Sequence, residues 1–367
     1  MSATCTSEIT SILEKAIEGA ELDRDEIVRL LSARDGEEKE ALYKAADEVR
    51  KACVGDEIYL RGIIEFSAYC RRNCHYCGLR AQNRDIHRYR IPDEEILSRA
   101  KLLKERSCTT VVLQSGEDAF YNTERLCRII RRIKDETALA ITLSIGERSY
   151  GEYEAFREAG AERYLLRHET ASRELYRSLH PGHELEDRIA CLRMLKRLGY
   201  EVGSGCIVGL PGQSIADLAD DVLLLKGLDI DMIGVGPFIP HPGTPLGSHP
   251  AGGTGPVLNM LAVLRLVTKD TNIPATTALG VLDPEARRRA FAAGANVFMP
   301  NFTPDPYTAY YEIYPGKGPE AGAIAKASDS GYAVFFEGMG RRIGTGYGYR
   351  TRKACTPETQ SCPGGPQ

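Results

Sequence analysis

The sequence predicts an α/β protein: a (βα)8 TIM-type barrel with an N-terminal helical extension and a flexible C-terminal tail. Eight apolar segments with strand character alternate with helical segments, which is the pattern of a parallel sheet with right-handed crossovers. The length of 367 residues accommodates one barrel of about 250 residues together with extensions. Eight repeats allow the sheet to close, and a doubly wound open sheet is the alternative.

The predicted extension covers residues 1–55. Ile9, Ile12, Leu13 and Ala16 recur at helical spacing, and a second amphipathic run begins at Asp23. The barrel is predicted for residues 56–343. The tail, residues 344–367, is rich in Gly, Pro, Thr and charged residues, a composition typical of flexible segments.

Within the barrel, strands and helices are predicted in strict alternation. The strands are residues 59–66, 110–114, 139–144, 163–167, 201–208, 232–237, 272–277 and 296–299. The helices are residues 92–106, 122–135, 150–159, 185–198, 215–227, 256–268 and 284–293. Gly160, Gly199 and Gly294 mark helix ends, because glycine accepts the left-handed conformation that commonly ends a helix. Residues 329–342 are predicted to add a short helix over one mouth of the barrel.

The composition argues against several classes of protein. Hydrophobic residues are 43% and charged residues 27%, as in globular rather than disordered chains. A net charge of -4 gives no electrostatic reason to expect a nucleic acid or an anionic membrane as partner. No apolar run approaches the roughly 18 residues of a membrane span, and the acidic N-terminus is unlike a signal or transit peptide. We therefore expect a cytoplasmic protein.

One tight cysteine cluster, Cys70, Cys74 and Cys77, follows the first predicted strand with the spacing C-x3-C-x2-C. Structural zinc sites usually have four protein ligands, and ordinary iron–sulfur clusters have four cysteines. Three thiolates without a nearby fourth predict one [4Fe–4S] cluster with one iron open to a non-protein ligand. The alternative is a zinc site completed by His75 or His87. The arginines around the loop either offset the cluster's negative charge or form a solvated basic face.

This spacing, with Tyr76 before the last cysteine, resembles the signature of the radical S-adenosylmethionine (SAM) enzymes. In that superfamily the open iron binds SAM, and reduction of the cluster cleaves SAM to methionine and a 5′-deoxyadenosyl radical. A closer resemblance, over roughly residues 8–317, is to the HydE family, the radical SAM maturases of the [FeFe]-hydrogenase active site. It is carried by EFSAYCRRNCHYCGLR, VVLQSGED, RYLLRHETA, VGLPGQ, GPFIPHPGTPL, NIPATTALG and MPNFTPDPY. Biotin synthase and methylornithine synthase share the layout less closely.

The resemblance assigns site residues at the ends of predicted strands and in the segments that follow, where barrel enzymes carry their active sites. It implies SAM contacts from Tyr76, Ser115, Gly116, Glu117, Ser144, Arg167, Glu169, Arg188, Val208 and Gly209. It implies substrate contacts from Gln114, Thr142, Arg167, Thr276, Thr277 and Tyr311. No further catalytic side chain is implied beyond the cluster and SAM.

Simpler interpretations of these residues stay open. Glu117 suits a helix N-terminus, and Thr142 and Ser144 suit a polar layer inside the barrel. Arg167 and Glu169 suit a structural ion pair, whereas His168 is predicted to pack away from the site. Thr276 and Thr277 are adjacent, so both reach one ligand only if the strand breaks there.

The implied function is maturation of the [FeFe]-hydrogenase active site. The implied substrate is a small organometallic molecule, a cysteine-bound Fe(CO)2(CN) complex on whose sulfur the radical acts. HydG-like and HydF-like maturases, and an electron donor such as ferredoxin or flavodoxin, are the implied partners. The alternatives are a radical SAM mutase or lyase acting on a small amino acid, as in methylornithine synthase, and a non-enzymatic iron–sulfur scaffold.

A second iron–sulfur cluster, which some HydE proteins carry after the PGK segment, is not predicted. The corresponding segment, PGKGPEAGAIAKASDS, contains no cysteine, and Cys355 and Cys362 follow only in the tail.

Overall fold

The computed structural model describes residues 2–317 and 329–352, with side chains described from residue 8 onward and, after the gap, from residue 331. Eight parallel strands form a barrel, and they follow one another around it in chain order. A parallel bridge between Met232 and Asn272 closes the barrel. The predicted barrel is confirmed, and the open-sheet alternative is wrong.

The strands match the predicted segments in order but are mostly shorter. They are β1 (Glu57–Ser67), β2 (Thr110–Ser115), β3 (Ala140–Ser144), β4 (Arg163–Leu165), β5 (Glu201–Ser204), β6 (Ile207–Val208), β7 (Met232–Ile233), β8 (Gly236–Pro237), β9 (Pro274–Ala275), β10 (Val297–Phe298) and β11 (Arg342–Ile343). The predicted strands 201–208 and 232–237 are each interrupted, and their second halves, β6 and β8, pair with each other. A Cβ atom at Gly205 would lie 1.9 Å from the carbonyl oxygen of Gly234, so glycine permits this close crossing.

The helices include every predicted one. They are α1 (Ser2–Ile17), α2 (Arg24–Leu31), α3 (Glu37–Val54), α4 (Asp93–Glu105), α5 (Thr123–Thr137), α6 (Tyr150–Ala159), α7 (Arg173–Leu179), α8 (Leu185–Arg197), α9 (Ile215–Gly227), α10 (Thr254–Thr268), α11 (Thr277–Leu282), α12 (Pro284–Ala292), α13 (Tyr307–Tyr310) and α14 (Asp329–Glu337). The short helices α7, α11 and α13 were not predicted. Among the described residues, no helix combines the length and the apolar character needed to cross a bilayer.

The N-terminal extension packs on the outside of the barrel. Helix α3 lies against α10, and α2 lies against α9 and α10. The buried Asn259 fixes this contact, because its amide donates to the carbonyls of Leu31 and Ala33 and its oxygen accepts from Tyr43. A buried amide with both ends hydrogen-bonded specifies one docking geometry for the extension.

The segment 344–352 closes the amino-terminal mouth of the barrel. Strand β11 pairs with the start of β1. Arg61 and Asn272 then donate to the carbonyl oxygen of Gly348 at 2.9 and 3.0 Å, and Arg163 donates to that of Tyr347 at 2.7 Å. The folded part therefore reaches at least residue 352, nine residues beyond the predicted boundary, because inward-facing arginines of the barrel need acceptors. Residues 353–367, with Cys355 and Cys362, lie outside the described residues.

The barrel interior is layered, since residues two apart on a strand face the same side. The lowest layer is polar and contains Arg61, Thr110 and Arg163. The middle layer is mainly apolar: Ile63, Val112, Thr142 and Leu165. The top layer, at the carboxyl ends of the strands, is polar again: Glu65, Gln114, Ser144 and Arg167. This last layer borders the candidate site.

Candidate active site

The three clustered cysteines lie in the loop after β1, at the carboxyl end of the barrel. The Sγ atom of Cys70 accepts backbone N–H groups from Arg72 and Glu117, both at 3.4 Å. Such N–H donors stabilise sulfur ligands of iron–sulfur clusters. Cys77 lies on the wall of the central cavity.

The electrostatics of the loop fit a metal-bound thiolate cluster. Burial and the neighbouring Cys70 raise the pKa of Cys74 to about 12, and burial together with Cys74 and Cys70 raises the pKa of Cys77 still further from its usual range. Each sulfur group therefore disfavours ionisation of its neighbours. Three buried thiolates at this place would need a bound cation to offset their charge.

The zinc alternative finds no support in the geometry. In the described part of the chain, no three Cys, His, Asp or Glu side chains converge as they do around a single metal ion. His87 instead packs its ring on Tyr310, with centroids 4.2 Å apart.

The turn after β2 is built to lie against the cysteine loop. A Cβ atom at Gly116 would lie 2.4 Å from the carbonyl oxygen of Tyr69 and 2.6 Å from Cβ of Cys70. The Glu117 side chain points to Arg71 and Arg72, at 2.9 and 2.6 Å, rather than into the cavity. Of the predicted residues in this turn, Ser115 lines the cavity, whereas Gly116 and Glu117 support the loop.

A cavity of about 310 Å³ occupies the carboxyl end of the barrel. It brings together nine predicted site residues with Cys77: Tyr76, Gln114, Ser115, Ser144, Arg167, Glu169, Thr276, Thr277 and Tyr311. Thr142 is buried one layer below, and its hydroxyl has no hydrogen-bond partner among the described residues. A volume of this size suits a small-molecule ligand.

Arg167 and Glu169 lie together on the cavity wall and form an ion pair. The Arg167 guanidinium donates through Nη2 to the carbonyl of Cys206 at 2.7 Å, while Nε lies 3.6 Å from Glu169 Oε2. These last two atoms are buried and have no hydrogen-bond partner within the described chain. A carboxylate and a guanidinium left unsatisfied at one wall fit a ligand that carries both an amine or hydroxyl and a carboxylate, as SAM does.

Backbone strain occurs at the same place. Glu169 has φ of 69°, the left-handed region that non-glycine residues rarely adopt. Its N–H donates to Gly205, and its carbonyl accepts from Ile207, both at 3.0 Å. These bonds hold Glu169 in the unusual conformation that places its side chain on the cavity wall.

Below Glu169, a buried network fixes the end of β4. His168 contacts Ser204 Oγ through Nδ1 at 3.0 Å and Asp221 Oδ1 through Nε2 at 2.9 Å. The same Asp221 oxygen accepts the N–H of Ala171. All these side chains are buried, so His168 packs away from the cavity, as predicted.

We expect Asp221→Ala to lower the free energy of unfolding by about 2–4 kcal/mol, because two buried donors lose their acceptor. Urea denaturation measures this loss. Asp187→Ala is the control: Asp187 is an exposed aspartate on α8, and its replacement is expected to change the free energy by less than about 0.5 kcal/mol. Equal losses in the two variants would contradict the role of the network.

Arg188 does not line the cavity. Its Nε donates to Glu147 at 2.6 Å, and a second N–H donates to the carbonyl oxygen of Arg167. Glu147 in turn binds Arg72 of the cysteine loop at 2.8 Å. In this geometry Arg188 connects the end of β4 to the cysteine loop, and a direct contact to SAM stays a prediction.

Tyr76 borders the cavity with its hydroxyl group engaged. Burial lowers the pKa of His180 to about 3, so the ring is neutral. Since Nδ1 of His180 faces the carbonyl of Tyr176 at 3.0 Å, that nitrogen carries the proton, and Nε2 accepts from Tyr76 O–H at 3.0 Å. The aromatic ring of Tyr76 is thus held in place beside Cys77.

The stretch VGLPGQ, residues 208–213, which is predicted to contact SAM, forms a turn at the end of β6. Gln213 accepts from the N–H of Gly209 at 2.7 Å. Gly209 has φ of 87°, and a Cβ atom there would lie 2.6 Å from Gly252. Val208 is buried, and neither Val208 nor Gly209 is on the cavity wall.

Both predicted substrate threonines line the cavity, because the strand ends before them. Strand β9 ends at Ala275, and α11 begins at Thr277. The Thr276 hydroxyl donates to the carbonyl of Val235 at 3.0 Å. Across the cavity, Gln114 donates to the Tyr311 hydroxyl at 3.4 Å.

Sequence reasoning missed a buried charge pair on the cavity wall, Glu65 and Lys317. Their side chains form an ion pair, and Asn301 also donates to Glu65 at 3.1 Å. The Lys317 ammonium lies 4.3 Å from the centre of the Tyr311 ring. The inward position of Glu65, two residues after Ile63 on β1, was the available signal.

The sequence of this chain is similar to those of known radical SAM proteins. Residues 64–225 match the Radical SAM superfamily. The [FeFe] hydrogenase maturase subunit HydE of Thermotoga maritima is 51% identical over 83% of this chain and 87% of its own. The chain belongs to the HydE family. As a HydE-family protein it is a radical SAM enzyme, and the family implies a [4Fe–4S] cluster and SAM.

The chain is also similar to other radical SAM enzymes. The 3-methylornithine synthase of Methanosarcina acetivorans is 34% identical over 80% of this chain and 83% of its own. A crystal structure of methylornithine synthase (PylB) has a TM-score of 0.81 and 30% identity, covering 91% of this chain and 97% of the other. The predicted order of resemblance, HydE before methylornithine synthase, is confirmed.

Proposed function

We propose that this enzyme binds one [4Fe–4S] cluster through Cys70, Cys74 and Cys77 and acts on the sulfur of a cysteine-bound Fe(CO)2(CN) complex. One observation carries the proposal: a single cavity is lined by Cys77, by the unsatisfied Arg167–Glu169 pair, and by Thr276 and Thr277. The residues that the HydE resemblance assigns to cofactor and to substrate therefore line one cavity.

In this proposal, bound SAM and the cluster supply a 5′-deoxyadenosyl radical, and the chain supplies position and shielding. Glu169 and Arg167 orient SAM through charge-assisted hydrogen bonds. Apolar side chains, Ile63 and Leu165 among them, form the wall nearest the middle layer and exclude water. Excluding water protects a reactive species from side reactions.

The substrate end of the cavity is polar. Thr276, Thr277 and the Gln114–Tyr311 pair offer hydroxyl and amide groups that hold the substrate's amino acid portion. Gln114 lies on β2, Thr276 and Thr277 lie at the start of α11, and Tyr311 directly follows α13. By resemblance, the partners would be HydG-like and HydF-like maturases, one of which supplies the substrate, and ferredoxin or flavodoxin would supply the electron.

The second candidate function is a methylornithine-type reaction on a small amino acid. It is favoured by the similarity to 3-methylornithine synthase in both sequence and structure. The deciding assay measures 5′-deoxyadenosine formation by the reduced enzyme with SAM alone, with L-lysine, and with the iron complex. We expect stimulation by the iron complex only. Stimulation by lysine would replace the maturase proposal with the mutase.

The assignment of Glu169 to SAM gives a separate prediction. Glu169→Gln removes one charge-assisted hydrogen bond and is expected to weaken SAM binding by about 1.5–3 kcal/mol, or roughly ten- to a hundredfold. Equilibrium dialysis with labelled SAM measures the affinity. Glu174→Gln, an exposed residue of α7, serves as the matched control. Unchanged affinity in Glu169→Gln would remove Glu169 from the SAM site.

A further inference from the structure

We propose that the surface formed by Tyr69, Arg71, Arg84, Arg90 and Phe120 docks an acidic one-electron donor protein. We name it the aromatic–arginine surface. The inference rests on the proposed function, because it assumes a cluster at the three cysteines. It assigns a docking place to a negatively charged protein that donates one electron.

Two aromatic rings are exposed side by side on this surface. Tyr69 is 36% exposed and Phe120 is 46% exposed. The Arg90 guanidinium lies over both rings, 3.8 Å from the centre of Tyr69 and 4.6 Å from that of Phe120. Arg125 lies 4.2 Å from the centre of the Phe120 ring. Exposed aromatic rings together with arginine are the typical composition of a protein-binding surface.

The charges are arranged so that the cations face outward. The Arg71 side chain is 63% exposed, whereas its partner Glu117 is 6% exposed. The Arg90 side chain is 34% exposed, and its partner Asp118 is 3% exposed. Arg84 is exposed in the same loop, beside the exposed carboxylate of Asp85. A chain with a net charge of -4 therefore presents a local excess of exposed guanidinium groups, which attracts an acidic partner.

The surface adjoins the cysteine loop directly. Tyr69 precedes Cys70, and its carbonyl oxygen would be 2.4 Å from a Cβ atom at Gly116. Arg88 donates to the carbonyl of Ala68 at 2.6 Å and to that of Asn83 at 2.9 Å, so Asn83, which precedes Arg84, is held close to Ala68, which precedes Tyr69. A protein docked here lies next to a cluster ligand.

The proposed step is a single electron transfer. The docked donor loses one electron, the cluster gains that electron, and no bond or proton moves. Docking at the aromatic–arginine surface shortens the path, because Cys70 lies one residue from the exposed ring of Tyr69.

The test measures donor binding first, without turnover. The double variant Arg84→Glu, Phe120→Ala and the control Arg193→Glu, which changes an exposed arginine of α8, are compared with the wild-type holoenzyme. Biolayer interferometry at low ionic strength, with an acidic [2Fe–2S] ferredoxin as probe, gives the affinity. We expect at least about tenfold weaker binding in the double variant only, and a smaller salt dependence. Equal affinities in the three proteins would overturn the proposal.

A second readout separates docking from the site itself. Optical reduction of the cluster by the reduced ferredoxin should slow in the double variant, while reduction by dithionite should keep its wild-type rate. Loss of both rates would overturn the docking role, because it would indicate damage to the cluster. A changed oligomeric state with unchanged ferredoxin binding would show that a second copy occupies the surface, and would also overturn it. Failure of the wild type to cleave SAM with dithionite would instead refute the proposed function.

Discussion

Replacing Cys70, Cys74 or Cys77 by alanine is expected to abolish reductive SAM cleavage. Each thiolate would bind a different iron, and no fourth cysteine is close to the loop in sequence, the nearest being Cys53 and Cys108. The measurement is 5′-deoxyadenosine formation after reduction with dithionite, in protein reconstituted without oxygen. Wild-type protein should contain about four iron and four sulfide ions, as one [4Fe–4S] cluster requires.

The matched control for this prediction is Cys127→Ala. Cys127 is buried between α5 and α6, where its thiol donates to the carbonyl of Ala155 at 3.5 Å. This variant should keep its iron content and its SAM cleavage. SAM cleavage by any of the three loop variants would contradict the ligand assignment. An iron content near eight that falls to four on replacing Cys355 and Cys362 would contradict the single-cluster prediction.

The fold could be predicted from the sequence because the patterns that predict it are local. Alternating strand and helix periods carry the barrel, and the α6 helix agrees with its prediction, residues 150–159, at both ends. The features that the sequence did not predict depend on contacts between distant residues. Gly205 interrupts one predicted strand because it crosses Gly234, a residue 29 positions away. Arg61 and Arg163 recruit residues 347 and 348 as acceptors, which no local pattern in the tail indicates.

In the candidate site, too, local features could be predicted and contacts between distant residues could not. The cysteines and the residues at strand ends could be predicted, because their position at the carboxyl end of the barrel follows from the strand order. The partners of each side chain could not. Glu117 turns to Arg72, and Arg188 turns to Glu147, since buried charges bind the nearest opposite charge. Lys317 pairs with Glu65 across 252 positions of sequence, beyond the reach of spacing arguments.

The double variant Thr276→Val, Thr277→Val is expected to retain SAM binding and slow uncoupled SAM cleavage but to lose substrate-stimulated turnover. Valine keeps the shape of threonine and removes both hydroxyls. Each lost hydrogen bond to substrate costs about 0.5–1.5 kcal/mol, so substrate affinity should fall by roughly five- to a hundredfold. The cysteine loop and the Arg167–Glu169 pair are untouched, which is why cleavage without substrate should persist.

Two measurements on this threonine variant separate the possibilities. The first is 5′-deoxyadenosine formation with and without the iron complex, and the second is hydrogenase activation in a reconstituted maturation assay. Thr268→Val, at the end of α10, is the control, because its hydroxyl donates only within the helix, to Leu264 at 2.7 Å. The control should match wild type in both assays. Should the double variant activate hydrogenase at the wild-type rate, the substrate pocket would lie elsewhere or the maturase proposal would be wrong; a loss of uncoupled cleavage as well would place the threonines with SAM instead.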